Sequence, residues 1–168
     1  LAPANQFLKG VVALTPSIAR SCWQELQDAQ LNLIRHEPKG FTAMNSDTLT
    51  RDEDLRPINV RRLLMLLRRL AQRLGVRYVF EPNDAAFRRS VQRGFEAMLD
   101  SLFMRGAFAG ATAETSYRVV TDTSVNTPEA VDQGRFTVEL RVAPSLPLRF
   151  MTIRLLQTGD RTLVTEET

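Results

Sequence analysis

Between Arg56 and Glu114 the chain reads as two consecutive amphipathic helices, and this constrains its fold more than any other feature of the sequence. The first is announced by Pro57-Ile58-Asn59-Val60-Arg61-Arg62-Leu63, with a proline at the start, where a missing N–H costs nothing. At about 100° per residue, Arg61, Arg62, Arg68, Arg69, Gln72 and Arg73 share one arc of roughly 140°. Leu63, Leu66, Leu67, Leu70 and Leu74 take the other side, so the spacing predicts a helix over residues 58–74 with Gly75 ending it as the C′ residue. Arginines gathered on one face repel each other unless something negative faces them. The candidates are the loop acids Asp52, Glu53 and Asp54, or a docking partner. A second helix is expected after a cap at Asn83 or Asp84, running to about Met104 with Phe87, Val91, Phe95, Met98, Leu99 and Leu102 inward. Arg88, Arg89 and Arg93 then point away from its core.

The flanks alternate as strands do. Strands are expected over residues 7–14, 31–35, 41–44, 76–80, 117–121, 136–142, 148–156 and 162–165. A helix over residues 17–30 would have Ser17 as its N-cap, and residues 127–132 read as a short helical turn that Gly134 breaks. The order gives an α+β fold, a mixed β-sheet flanked by helices.

Composition narrows the function classes. A chain of 168 residues, 43% hydrophobic, can bury one core and reads as a single domain. Cys22 is the only cysteine, which excludes an internal disulfide, and beside Trp23 it reads as a small apolar residue on the inner face of a helix. The net charge is +3, yet only Lys9 and Lys39 are lysines among 22 cationic residues. Arginine excess is the composition of ion-pairing surfaces, facing protein or nucleic acid. The chain starts at Leu1 with no charged segment ahead of an apolar run, and so reads as a piece of a longer polypeptide that begins in a linker. No apolar stretch approaches the roughly 20 residues that cross a bilayer.

The sequence carries no catalytic kit. His36, the only histidine, lies in a turn beside Glu37-Pro38. There is no Gly-x-Ser-x-Gly turn, and Gly106-Ala107-Phe108-Ala109-Gly110 follows a helix and lacks the ending of a phosphate loop. Asp52-Glu53-Asp54 lacks the spacing and glycine of a calcium loop. No catalytic residue, cofactor or metal site is expected. A basic-helix nucleic-acid-binding module is the alternative reading, but such a module usually adds lysines and exposed aromatics, and its affinity would fall steeply with salt.

A series of short motifs then becomes specific by its order. It runs Ala2-Pro3-Ala4-Asn5, Leu8-Lys9-Gly10-Val11, Leu31-Asn32 with Ile34-Arg35, Pro57 to Leu63, and Phe80-Glu81-Pro82-Asn83-Asp84. Gly106 to Thr112, Asp132-Gln133-Gly134-Arg135 and Val142-Ala143-Pro144 complete it. This series resembles the C-terminal domain of contractile tail sheath proteins of myophage tails, R-type pyocins and extracellular contractile injection systems. One departure is the run Phe41-Thr42-Ala43-Met44-Asn45-Ser46, where the family commonly carries a Trp-Gly-Ala-Arg-Thr type, so the sheath subclass stays open.

The resemblance implies a structural protein with no enzymatic activity, polymerised helically around an inner tube that it drives through a target membrane on contraction. Implied partners are neighbouring sheath subunits or paralogues, the tube protein, and baseplate and cap proteins, with no nucleic acid and no direct membrane insertion. Assembly in the bacterial cytoplasm, as part of a phage tail or a released tail-like particle, is implied too. Residues 1–154 would form the inner, tube-proximal domain. Residues 155–168 would be an arm, jointed at Gly159, adding Leu155, Leu156, Leu163 and Val164 to a neighbour's sheet. The tube-facing residues would be Arg88, Arg89 and Arg93, or else the Arg61, Arg62, Arg68, Arg69 and Arg73 face.

Overall fold

The computed structural model describes residues 4–15, 18–78, 81, 83–144, 150–158 and 161–167. Ser17 as a cap, Val79 and Phe80 as a strand end, Leu148 as a strand start and Gly159 as a joint lie outside them. The chain divides into two compact units, residues 1–62 and 63–168.

In the first unit three short strands, β1 (Phe7–Leu8), β2 (Ile34–Glu37) and β3 (Gly40–Ala43), form an antiparallel sheet in the order β1-β3-β2. The strands expected over 31–35 and 41–44 pair as a hairpin: in β2 and β3 His36 stands opposite Phe41, and Gly40 takes φ 133, in a region that favours glycine. Strand β1 is shorter than the apolar run 7–14 suggests, because Gly10 at φ 79 turns the chain. The expected helix 17–30 is reduced to a 3-10 turn (Arg20–Cys22) and α1 (Trp23–Asp28). It closes with Gln30 at φ 61 and a hydrogen bond from Leu31 N to Leu26 O, the Schellman arrangement. Neither turn nor helix buries a residue, so Cys22 is exposed and not on an inner face. Among the described residues 4–62 only Thr42 and Val60 are buried.

Helix α2 (Ile58–Gly75) has the expected extent, but its buried stripe is Val60, Leu64, Leu67 and Ala71, with Leu66 41% exposed. Six of its 18 residues are leucines, so packing chooses among them, and Ala71 allows close approach. Gly75 stays helical, and the chain tightens into a 3-10 turn (Val76–Tyr78) in place of the expected strand. Helix α3 (Ala85–Phe103) starts at Asp84, whose Oδ1 accepts from Phe87 N at 2.7 Å, and buries Val91, Phe95 and Leu99.

This helix packs on a second antiparallel sheet, β4 (Tyr117–Val120), β5 (Arg135–Val142), β6 (Met151–Thr158) and β7 (Arg161–Glu167), in the order β4-β5-β6-β7. Period-2 alternation sends Phe136, Val138, Leu140 and Val142 of β5 to the buried face, beside Met151, Ile153 and Leu155 of β6. Phe87 meets Phe136 edge-on, with ring centroids 5.0 Å apart. Two short helices close the loops. In α4 (Ala113–Ser116), Thr112 and Thr115 form a capping box, and in α5 (Pro128–Asp132), Thr127 caps with a proline in the first turn. A Cβ on Gly110 would lie 2.8 Å from the Thr115 backbone, so this turn has room only for glycine. The α+β class is as expected, and both sheets are antiparallel. Residue 155, where the arm was expected to begin, lies inside β6, and β7 pairs with β6 of its own chain from Thr158↔Arg161 to Thr152↔Glu167.

Candidate functional site

Cationic surface is presented on two helices. On α2, Arg62, Arg68, Arg69 and Arg73 are exposed and Arg61 is half-buried. On α3, Arg89 and Arg93 are exposed. Arg88 instead turns back to the helix start, its Nε donating to Asn83 Oδ1 at 2.8 Å, so it also secures the cap. Arg93 Nε donates to Arg89 O at 3.3 Å. Of the acids considered as neutralisers, Asp52 uses Oδ1 on the backbone N–H of Asp54 at 2.9 Å, within its own loop.

The second sheet carries a polar arrangement that sequence reading missed. Glu139 lies on the face of β5 away from α3, yet it is only 2% exposed. Arg141 Nε donates to its Oε1 at 2.5 Å and Arg154 Nε to its Oε2 at 3.1 Å, so one carboxylate joins β5 to β6. Burial pushes the Glu139 carboxyl up, and the two guanidiniums outweigh that and hold it below the usual glutamate range. A group with a depressed folded pKa stabilises above its unfolded value, about 4.3 for glutamate, and loses that contribution as pH falls through the folded value. Thermal stability should therefore decline on acidification below about pH 5. Glu139→Gln should flatten part of that decline while costing about 1–3 kcal/mol at pH 7; a melting profile unchanged in pH dependence would refute the assignment.

Asn126 is the other missed residue. It is 1% exposed and acts as a strand extension beyond β4: its Nδ2 donates to Thr121 O (3.0 Å) and Thr137 O (2.8 Å), and its Oδ1 accepts from Thr137 N at 2.7 Å. The cue was slight, an asparagine just ahead of the Thr127-Pro128 helix start.

Among the described residues, the second sheet leaves two edges, β4 and β7. Of the expected arm residues, Leu155 and Val164 are buried, Leu156 is half-buried and Leu163 is 60% exposed. A cleft of about 600 Å³ runs beside β4, lined by Gln92, Glu96, Glu114, Tyr117, Arg118 and Asp122 among others. In the first unit Trp23 has Arg20 and Arg35 over its ring at 5.7 and 5.5 Å, in the wall of another cleft of about 600 Å³. His36 stacks on Phe41, centroids 4.7 Å apart. Among the described residues no group of His, Cys, Asp and Glu could hold a metal ion, and no helix is long and apolar enough to cross a membrane. The arrangement offers charged faces and strand edges for docking.

Comparison with known proteins decides the family, because the phage tail sheath C-terminal domain matches residues 50–158. The chain belongs to that family. The tail sheath protein of Vibrio phage KVP40 is 26% identical to the sheath domain over 154 residues, 90% of this chain and 22% of the relative. That of Enterobacteria phage T4 is 34% identical over 103 residues, 61% of this chain and 15% of the relative. The sheath domain thus spans a fifth or less of phage T4's protein and little more of the other.

Among solved structures, the sheath complex of the PVC extracellular contractile injection system in the contracted state matches with a TM-score of 0.78 at 29% identity. That match covers 88% of the sheath domain and 42% of the matched chain. The contracted helical sheath of the anti-feeding prophage matches at TM-score 0.73 and 31% identity, over 89% and 43%. The family is one of structural tail sheaths, and its relatives favour that reading over the nucleic-acid module.

Proposed function

We propose that this chain is the inner part of a structural subunit of a contractile tail sheath, and that it has no enzymatic role. Copies stack helically around an inner tube, and their collective contraction drives the tube through a target membrane. The observation that carries this is the match to a contracted sheath over 88% of the chain at TM-score 0.78. Neighbouring sheath subunits are the first partners, with the tube, baseplate and cap following from the same role. The particle is a phage tail or a released tail-like particle, assembled in the bacterial cytoplasm. Negative-stain imaging of the full-length protein tests the reading: long hollow cylinders support it, and dispersed monomers at every concentration overturn it.

Residues 155–168 serve as the arm. In a single chain β7 pairs with β6 of its own sheet, and the same ladder of main-chain hydrogen bonds can be made with a neighbour's strand. Cooperative contraction then needs two packings of similar free energy, repeated over many copies.

The tube is gripped by charge, through Arg88, Arg89 and Arg93 in preference to the Arg61, Arg62, Arg68, Arg69 and Arg73 face. An exposed pair contributes only about 0.2–1 kcal/mol, so the hold comes from repetition and releases readily as the sheath widens. Because Arg88 also secures the cap of α3, Arg89→Glu with Arg93→Glu is the cleaner test. Sheaths of this variant should form but retain no tube. If they keep it while Arg68→Glu with Arg69→Glu loses it, the assignment reverses.

A further inference from the structure

We propose that the outer face of the four-stranded sheet receives the acidic 47–54 loop of a second copy of this chain. The proposal rests on the sheath reading for its premise that many copies meet. The register sets Arg118 of β4 directly opposite Arg141 of β5, and Glu139 opposite Arg154 of β6. All four therefore project from the face that α3 does not cover. Like charges opposite each other across two strands destabilise a sheet, so the Arg118–Arg141 pair is a cost that the chain retains. Glu139 aligns Arg141 and Arg154, whose side chains remain 46% and 44% exposed. The Asp122 carboxylate, bound first to Ser124, also feels Arg118 and Arg141. Among the described side chains three guanidiniums thus face two carboxylates, and Arg135 stands on the same face at the far end of β5. Thr137 and Thr152, both short, keep the surface between them low.

The occupant follows from symmetry and charge. A contact between identical patches closes a dimer, whereas an open helical array needs two different patches that fit each other. The matching patch lies in the first unit, where residues 47–54 hold Asp47, Asp52, Glu53 and Asp54 against Arg51 as the single cation. The loop is already rigid: Thr48 Oγ1 donates to Arg56 O and Asp52 Oδ1 accepts from Asp54 N, both at 2.9 Å. Docking a rigid turn loses less conformational entropy than docking a free segment. Glu53 is exposed at its tip.

Charge reversal tests the contact in the full-length subunit. Arg118→Glu leaves the Glu139 clasp intact, and Glu53→Arg leaves the loop's own hydrogen bonds intact. Each alone should raise the concentration for half-maximal self-association, read by sedimentation, about tenfold. The double variant, in which every copy carries both reversals, should return towards the wild type. In a Cys22→Ser background, Arg118→Cys mixed with Glu53→Cys should give disulfide-linked heterodimers on oxidation. Cylinders that form equally from the wild type and both single variants, or losses that merely add in the double variant, overturn this contact and leave the sheath reading standing. A wild type that never self-associates removes both.

Discussion

Replacing Asn126 with alanine should cost about 2–4 kcal/mol of stability, because it strands buried backbone groups that the amide now serves. The Thr137 N–H and C=O and the Thr121 C=O all lose their partner at once, in a site with 1% exposure. Thermal unfolding should show the midpoint falling by about 10 °C. Asn126→Asp separates this account from a simple packing defect: it keeps an acceptor for Thr137 N but loses both donated bonds and buries a charge. Its deficit should therefore be at least as large at pH 7 and should shrink as the carboxyl is protonated. An alanine variant within 0.5 kcal/mol of the wild type, on the order of an ordinary surface change, would show that solvent replaces the amide.

Deleting residues 159–168 should abolish cylinder formation while leaving a folded chain. The deletion removes β7 and uncovers one edge of β6, but β4, β5 and β6 still form three paired strands over α3. What disappears is the strand whose pairing is the same whether made within one copy or between two. Exchange of such a strand changes the free energy little in itself, so local concentration decides where it pairs. Circular dichroism should report a folded chain with a melting point lower by several degrees, and electron microscopy should find no cylinders. Normal cylinders from the truncated protein would remove strand exchange from the account.

Helices α2 and α3 were legible because each carries a long apolar stripe that no strand period could imitate. The β2–β3 hairpin was legible from Pro38-Lys39-Gly40 between two apolar runs, and β5 from its strict alternation. Residues 76–78 misled because Val76 and Tyr78 favour strands, while the geometry there is inherited from the helix that runs into them. Cys22 misled because helical spacing predicts an inner face only where a core exists for it to face. Glu139 was invisible for another reason: a glutamate at an outward strand position looks solvated until the register places Arg154 opposite it. Asn126 drew no reading from the sequence, because its bonds to Thr137 depend on a strand pairing that spacing alone does not encode. The residues proposed to face the tube and to form the arm would draw their meaning from other molecules, which no single chain records.

Among the described residues 4–62 the near absence of buried side chains carries a consequence for this chain by itself. A segment that hides so little has little free energy to lose on opening, so in a lone copy its amides exchange quickly and its peptide bonds are open to proteases. Packing into an array would close the same bonds. Assembly would then act as its own inspector: copies that join are sheltered, and stragglers are degraded, with no separate factor needed to tell them apart.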